Sequence, residues 1–60
     1  MGEKIKERRE AAGMSQKELA EKLGVHGSAI SLWENGVTSP KMGNLVKLAE
    51  IFGCKPGDLF

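Results

Sequence analysis

The stretch that decides the fold is residues 14–25, which read MSQKELAEKLGV. Ser15 and Glu18 have the S-x-x-E spacing of a capping box, in which each side chain accepts a hydrogen bond from the other residue's backbone N–H. Met14 and Leu19 occupy the two positions where apolar side chains form a hydrophobic staple across such a cap. The pattern predicts a helix that begins directly after Ser15.

Only a few residues around Gly24 separate this helix, about Gln16 to Leu23, from the next one, about Gly27 to Glu34. Two helices with so short a link cross steeply, at roughly 90–120°, which is the geometry of a helix-turn-helix. Val25, with Ile30 and Trp33 at spacing i, i+3, is predicted to fill the wedge between the two helices.

The sequence does not decide which residue begins the helix that ends near Glu34. His26 is a poor N-cap, and Gly27 costs about 1 kcal/mol relative to Ala inside a helix. Ser28 is the alternative N-cap, and it would shorten the helix at its front.

Further helices are predicted on both sides of the helix-turn-helix, which spans about residues 16–35. Almost no stretch alternates with period two, so no sheet is predicted. The approximate bounds of the flanking helices are Glu3 to Ala12, Lys41 to Phe52 and Pro56 to Phe60. In the first helix, Ile5, Arg9 and Ala12 lie on one face. In the fourth, the apolar stripe is Leu45, Leu48, Ala49 and Phe52, and the last turn is predicted to fold Leu59 over the core.

The composition is that of one small soluble globular domain covering residues 1–60, with 28% charged and 40% hydrophobic residues. No apolar run approaches the ~18 residues of a membrane span, and no signal peptide is visible at the charged N-terminus. A single cysteine, Cys54, and a single histidine provide neither an internal disulfide nor a zinc site, so we expect a reducing cytoplasm and no cofactor. An enzyme is the least expected class, because the chain is too small to shape a cleft around clustered catalytic groups.

Longer stretches carry a family resemblance. They are Met14-Ser15-Gln16-x-x-Leu19-Ala20-x-x-Leu23-Gly24-Val25, Ala29-Ile30-Ser31-x-Trp33-Glu34-Asn35-Gly36, Pro40, Asn44-Leu45, Leu48-Ala49 and Cys54-x-Pro56-x-x-Leu59. With these residues the chain resembles the Cro/C1-type helix-turn-helix family, which includes the lambdoid phage repressors. The resemblance implies an all-α, compact, five-helix lambda-repressor-like domain that binds double-stranded DNA as a repressor-like transcriptional regulator in a bacterial or phage-infected cell. It also implies that the third helix enters the major groove, and that two copies bind half-sites about one helical turn apart.

The resemblance further assigns roles to single residues. Contacts with DNA phosphates are expected from Gln16, Lys17, Asn35, Thr38, Ser39 and Lys41. Gln16 is also expected to brace the third helix. Contacts with bases are expected from His26, Gly27, Ser28, Ala29 and Leu32. Arg9 and Glu34 match a partly buried ion pair. A weak homodimer is expected through Ile51, Phe52, Leu59 and Phe60.

The third helix departs from the family pattern at its base-contacting positions. It has no Gln, Asn, Arg or Lys there, so it offers no bidentate contact to guanine or adenine. Ser28 can bond one base edge, Leu32 or Ala29 can touch a thymine methyl group, and His26 can meet a phosphate or simply lie at the surface. The net charge is only +1, where DNA-binding domains usually carry a larger excess of Lys and Arg. Two interpretations stay open. The first is DNA recognition through methyl contacts and DNA shape, and the second is a protein-interaction module or engineered scaffold on the same fold with weak or no DNA readout.

Overall fold

The computed structural model describes all 60 residues as four α-helices and one 3-10 turn, without a strand. The helices are α1 (Gly2–Ala11), α2 (Gln16–Leu23), α3 (Gly27–Glu34) and α4 (Met42–Phe52), and the C-terminal 3-10 turn is Pro56–Leu59. The all-helical class is confirmed. No helix in the chain is long and apolar enough to span a membrane.

The prediction of a fifth helix is wrong. Four residues, Pro56–Leu59, close only a single 3-10 turn before the chain ends. The Asp58 carboxylate accepts a hydrogen bond from the Lys55 backbone N–H at 3.0 Å and so closes the turn from its front. Leu59 is fully buried, and it anchors the turn on the core.

All four α-helices end in the same backbone motif. Each is followed closely by a glycine with φ between 69° and 75°: Gly13, Gly24, Gly36 and Gly53. After α2, the Gly24 N–H donates to the carbonyl of Glu21 and the Val25 N–H donates to the carbonyl of Ala20, at 3.3 and 3.0 Å. This pair of bonds is a Schellman motif, which needs a left-handed residue that glycine adopts without steric cost. Four of the eight glycines in the sequence therefore mark the ends of the four α-helices.

One core is shared by every element. Its ten buried members are Ile5, Leu19, Ala20, Leu23, Ile30, Trp33, Leu45, Leu48, Ala49 and Leu59. Of the face shared by Ile5, Arg9 and Ala12, only Ile5 is buried, since Arg9 is half-buried and Ala12 is exposed; on the α4 stripe, Phe52 is half-buried at the helix end. No buried side-chain nitrogen or oxygen lacks a hydrogen-bond partner.

The start of α1 lies directly against the end of α3. A Cβ atom on Gly2 would lie 2.6 Å from the carbonyl oxygen of Glu34 and closer still to that of Trp33. Both neighbours are backbone atoms, which cannot swing away, so only glycine permits this approach. The contact places the N-terminal end of one helix dipole beside the C-terminal end of another, which is favourable.

Candidate nucleic-acid interface

The α2–turn–α3 unit begins with the predicted capping box. The Glu18 backbone N–H donates to Ser15 Oγ at 3.0 Å, and the Ser15 N–H donates to Glu18 Oε1 at 3.1 Å. Because the cap fixes the first turn of α2 and the left-handed Gly24 fixes its end, only three residues remain before α3. The predicted bounds of both helices are confirmed.

The cap of α3 is His26. Its Nδ1 atom accepts a hydrogen bond from the Ser28 backbone N–H at 3.2 Å and lies 2.8 Å from Ser28 Oγ. The alternative, in which Ser28 caps a shorter helix, is therefore wrong. The Nδ1 atom of His26 thus takes the position where the oxygen of a short side chain usually accepts the hydrogen bond from the N–H of the second helical residue.

The two sides of α3 have different surroundings. Ile30 and Trp33 point into the core and expose 0% and 7% of their surface. Ser28 and Leu32, one helical turn apart on the outer side, are exposed, Leu32 to 40%. Of the other residues predicted to contact bases, His26 is exposed, while Gly27 and Ala29 are half-buried. The structure thus leaves Ser28, Leu32 and the cap residue His26 exposed, whereas Ala29 packs partly against the core.

The far end of α3 is held by an ion pair. Arg9 Nε donates to Glu34 Oε2 at 2.6 Å and Arg9 Nη2 donates to Oε1 at 3.2 Å. The two side chains expose only 11% and 3% of their surface. Gln16 Nε2 also donates to Glu34 Oε1, at 3.0 Å. We refer to these three residues as the Glu34 cluster; it joins α1, α2 and α3 through one carboxylate.

Within the Glu34 cluster, the charged forms of Glu34 and Arg9 are both favoured. Burial alone would raise the pKa of Glu34, but hydrogen bonds from Arg9 and Gln16, with the nearby positive charges, outweigh burial and lower the pKa. The hydrogen bond to Glu34 raises the pKa of Arg9 against the opposing effect of burial. A charged pair of this geometry fixes the end of α3 relative to the other two helices.

The residues predicted to contact phosphates lie at two places. The first is the start of α2, with Gln16 half-buried and Lys17 exposed; the second is the loop from α3 to α4, where the other four are exposed: Asn35, Thr38, Ser39 and Lys41. Two of these side chains already have partners within the protein. The resemblance implies that Gln16 braces the third helix without giving its partner, and the contact made by Asn35 was missed. Gln16 bonds Glu34, and Asn35 Nδ2 donates to Ser31 Oγ at 3.3 Å. The i, i+4 spacing of Ser31 and Asn35 was the only sequence signal for the second contact.

Comparison with known proteins decides the family. The helix-turn-helix family model matches residues 5–59, which is nearly the whole chain and includes every core residue. The chain belongs to the helix-turn-helix family. The matched region contains the capping box of α2, the left-handed Gly24 and the Glu34 cluster.

Several members of this helix-turn-helix family are similar in sequence or structure. Repressor protein C2 of Salmonella phage P22 is 39% identical over 56 residues, which are 93% of this chain and 26% of the repressor. An uncharacterized HTH-type transcriptional regulator of Archaeoglobus fulgidus is 38% identical over 60 residues, 100% of this chain and 86% of that protein. The crystal structure of the P22 c2 repressor in complex with synthetic operator 9T has a TM-score of 0.93 at 37% identity, covering 98% of this chain and 89% of that chain. The structure of SinR, the master regulator for biofilm formation, in complex with DNA has a TM-score of 0.90 at 34% identity and covers 100% of both chains.

The residues expected at a dimer contact of this helix-turn-helix domain are not all at the surface. Leu59 is fully buried beneath the 3-10 turn, so it cannot contribute to a dimer surface and that part of the prediction is wrong. Ile51 and Phe52 are half-buried at the end of α4, and Phe60 is 62% exposed. Three of the four residues are therefore accessible for contact with a second copy of the domain.

Proposed function

We propose that this domain binds double-stranded DNA sequence-specifically as a transcriptional regulator of the repressor type, with α3 in the major groove. The observation that carries the proposal is the division of α3 into a fixed and a free side. Ile30 and Trp33 hold the inner side in the core and Glu34 holds the end, while Ser28 and Leu32 face outward. A recognition element needs this combination, because its contacts must be presented on a rigid support. Relatives with the same fold, the P22 c2 repressor and SinR, are described in complex with an operator and with DNA.

The start of α2 supports a phosphate contact. Ser15 caps the Glu18 N–H, but the N–H groups of Gln16 and Lys17 belong to the first turn, where no carbonyl within the helix can reach them. Such groups, with the positive end of the helix dipole and the Lys17 ammonium, attract an anion. The Gln16 amide bonds Glu34 with one N–H and keeps a second N–H for a phosphate oxygen.

The start of α4 supports a second phosphate contact. Lys41 is its N-cap and makes no capping hydrogen bond with its side chain, so no side chain of the cap satisfies the first-turn N–H groups. A phosphate would accept from these groups and pair with the exposed Lys41 ammonium. Asn35, Thr38 and Ser39 add polar side chains from the adjoining loop. Contacts of this kind set the register and the affinity, while the sequence is read elsewhere.

Base readout is assigned to the outer side of α3. The Ser28 hydroxyl can bond one base edge, and the apolar surface of Leu32 and Ala29 fits a thymine methyl group. Gly27 contributes no side chain and lets the helix backbone approach the groove. None of these residues makes a bidentate contact, so part of the specificity is assigned to DNA shape and deformability.

Two copies are proposed to bind one operator, paired through Ile51, Phe52 and Phe60. A two-fold contact of this kind uses the same patch on both subunits. We expect a monomer or a weak dimer in solution, and two copies on each operator, when masses are measured by analytical ultracentrifugation. A dimer mass that does not change with dilution into the low micromolar range would contradict this.

A second candidate is a protein-interaction module or an engineered scaffold with weak or no DNA readout. It is favoured by the net charge of +1 and by the 40% exposure of Leu32 on α3. Salt separates the two candidates. Binding to DNA weakens with a slope of about −0.9 in log K against log salt for each phosphate contact, whereas apolar contact with a protein is far less sensitive.

The first experiment is the selection of bound duplexes from a random library near physiological salt. We expect an enriched inverted repeat with half-sites about ten base pairs apart. No enrichment by a protein that is folded by circular dichroism would direct the search to protein partners.

A salt titration on the selected duplex then tests the phosphate contacts. Lys41→Ala should make the salt slope less steep by about 0.9 per bound domain. The matched control is Lys55→Ala, another exposed lysine that precedes the C-terminal turn, which should leave the slope unchanged. Equal slopes for all three proteins would remove Lys41 from the interface.

A further inference from the structure

The contacts between His26 and Ser28 define where the imidazole proton is. The Ser28 backbone N–H, at 3.2 Å from Nδ1, can only donate, so Nδ1 presents a lone pair. A neutral imidazole with an acceptor at Nδ1 has its proton on Nε2. Ser28 Oγ lies 2.8 Å from the same Nδ1 atom. Because Nδ1 has no proton to give, the Ser28 hydroxyl is the donor in that contact.

The direction of this bond limits what Ser28 can offer to a ligand. A serine hydroxyl has one O–H to donate and two lone pairs that accept. With the O–H used on His26, the exposed oxygen presents lone pairs alone. In the major groove, N7 and O6 of guanine, N7 of adenine and O4 of thymine are acceptors and would not be bound. The donors are the exocyclic amino groups at N4 of cytosine and N6 of adenine.

We infer that Ser28 reads the exocyclic amino group of a cytosine or an adenine, because His26 orients its hydroxyl as an acceptor. The inference rests on the proposed function, in which α3 lies in the major groove with its first turn at the base edges. His26 acts here as a positioning residue: it need not touch a base, yet it determines which base Ser28 accepts. The outward Nε2–H of His26 remains available as a donor to a phosphate.

The first test uses the free protein and does not depend on DNA. The nitrogen NMR shifts of His26, recorded in a mildly alkaline buffer, report which ring nitrogen has the proton. We expect the proton on Nε2 in the wild-type protein. A proton on Nδ1 would overturn the inference even if the protein binds DNA.

The second test uses the duplex obtained by selection, with single base analogues. The base pair that Ser28 contacts is identified as the one at which the Ser28→Ala variant no longer prefers a particular base. At that position, adenine is replaced by purine or cytosine by 2-pyrimidinone, both of which lack the amino group. We expect wild-type binding to weaken about fivefold, the usual size of one neutral hydrogen bond, and Ser28→Ala to lose nothing further. The matched control replaces the purine of that base pair by its 7-deaza analogue, which removes the N7 acceptor and should change nothing.

Variants of His26 test the positioning role. His26→Asn keeps a side-chain acceptor and a good N-cap, so the dependence on the amino group should persist. His26→Ala releases the hydroxyl to donate or accept, so that dependence should shrink and all four bases should become acceptable. Three results would overturn the proposed role of Ser28 and His26 without affecting the proposed function. They are binding that depends on N7 but not on the amino group, a duplex with no position sensitive to Ser28→Ala, and a base preference that is unchanged in His26→Ala. Failure to enrich any duplex would overturn the proposed function together with it.

Discussion

Arg9→Ala is expected to remove most of the stability of this small domain. The change deletes three hydrogen bonds: Nε and Nη2 to Glu34, and Nη1 to the Met14 carbonyl at 2.9 Å. It also leaves the Glu34 carboxylate, 3% exposed, with Gln16 as its one remaining side-chain donor. The loss is therefore that of a buried charge without its counter-ion, and not that of an exposed ion pair.

The size of the effect follows from this burial. Removing one partner of a buried pair costs about 3–5 kcal/mol. A domain of this length has a total free energy of unfolding of roughly 3–9 kcal/mol. At about 4–8 °C per kcal/mol for a small domain, the melting temperature should fall by at least ~12 °C. The variant should be marginally folded at room temperature.

The assay is urea unfolding followed by the fluorescence of Trp33, which is buried beside Ile30 in the core. The matched control is Arg8→Ala, an adjacent arginine that is half-buried and makes no side-chain hydrogen bond or ion pair. We expect the control to lose less than ~1 kcal/mol, the value of an ordinary surface charge. Adding Glu34→Gln to Arg9→Ala should restore part of the loss, because the unpaired charge is removed. Equal free energies of unfolding for Arg8→Ala and Arg9→Ala would refute the reasoning.

Three further predictions concern stability. Because the pKa of Glu34 is lowered in the folded chain, the unfolded chain takes up a proton first as pH falls. The contribution of Glu34 to the free energy of unfolding is therefore fully present above about pH 5 and is lost as pH drops through about 4 and below. Urea unfolding at a series of pH values should show this loss, with a smaller dependence on pH in Glu34→Gln. Gly2→Ala should lower the melting temperature, because its Cβ would overlap backbone atoms of α3. The control Gly43→Ala, where a Cβ meets nothing within 4 Å, should raise the free energy of unfolding by about 0.4–1 kcal/mol. Equal effects of the two substitutions would contradict the close approach of α1 and α3. Ser15→Ala should cost about 1 kcal/mol through loss of the capping box, measured by thermal unfolding, and a loss near zero would show that the cap contributes nothing.

The elements that could be predicted from sequence are those with local signals. The bounds of α2 follow from the Ser15 cap and the Gly24 stop, which lie within the helix or next to it. The start of α4 was predicted one residue early, because Lys41 adopts an extended N-cap conformation instead of a helical one. Short-range chemistry decides these features, and the relevant residues are all visible within one or two helical turns.

What could not be predicted depends on residues far apart in the chain or on the shape of a particular side chain. The need for glycine at Gly2 comes from the carbonyl groups at the end of α3, more than thirty positions away. The Gln16–Glu34 bond joins two helices, and no spacing rule within one helix indicates it. His26 was judged a poor cap from the average behaviour of histidine, yet its ring nitrogen reaches the Ser28 N–H. A sequence pattern contains no distances of this kind.

The separation of α3 into a packed side and an exposed side has a consequence for how such chains diversify. Substitutions at Ser28 or Leu32 change what the helix touches without opening a cavity among Ile30, Trp33 and their neighbours. Their cost in folding should stay within the few tenths of a kcal/mol typical of surface changes. A population of these chains can therefore move from one target to another by single substitutions, each of them well folded. The core and Arg9 supply the stability of the domain, so these substitutions can accumulate without unfolding it.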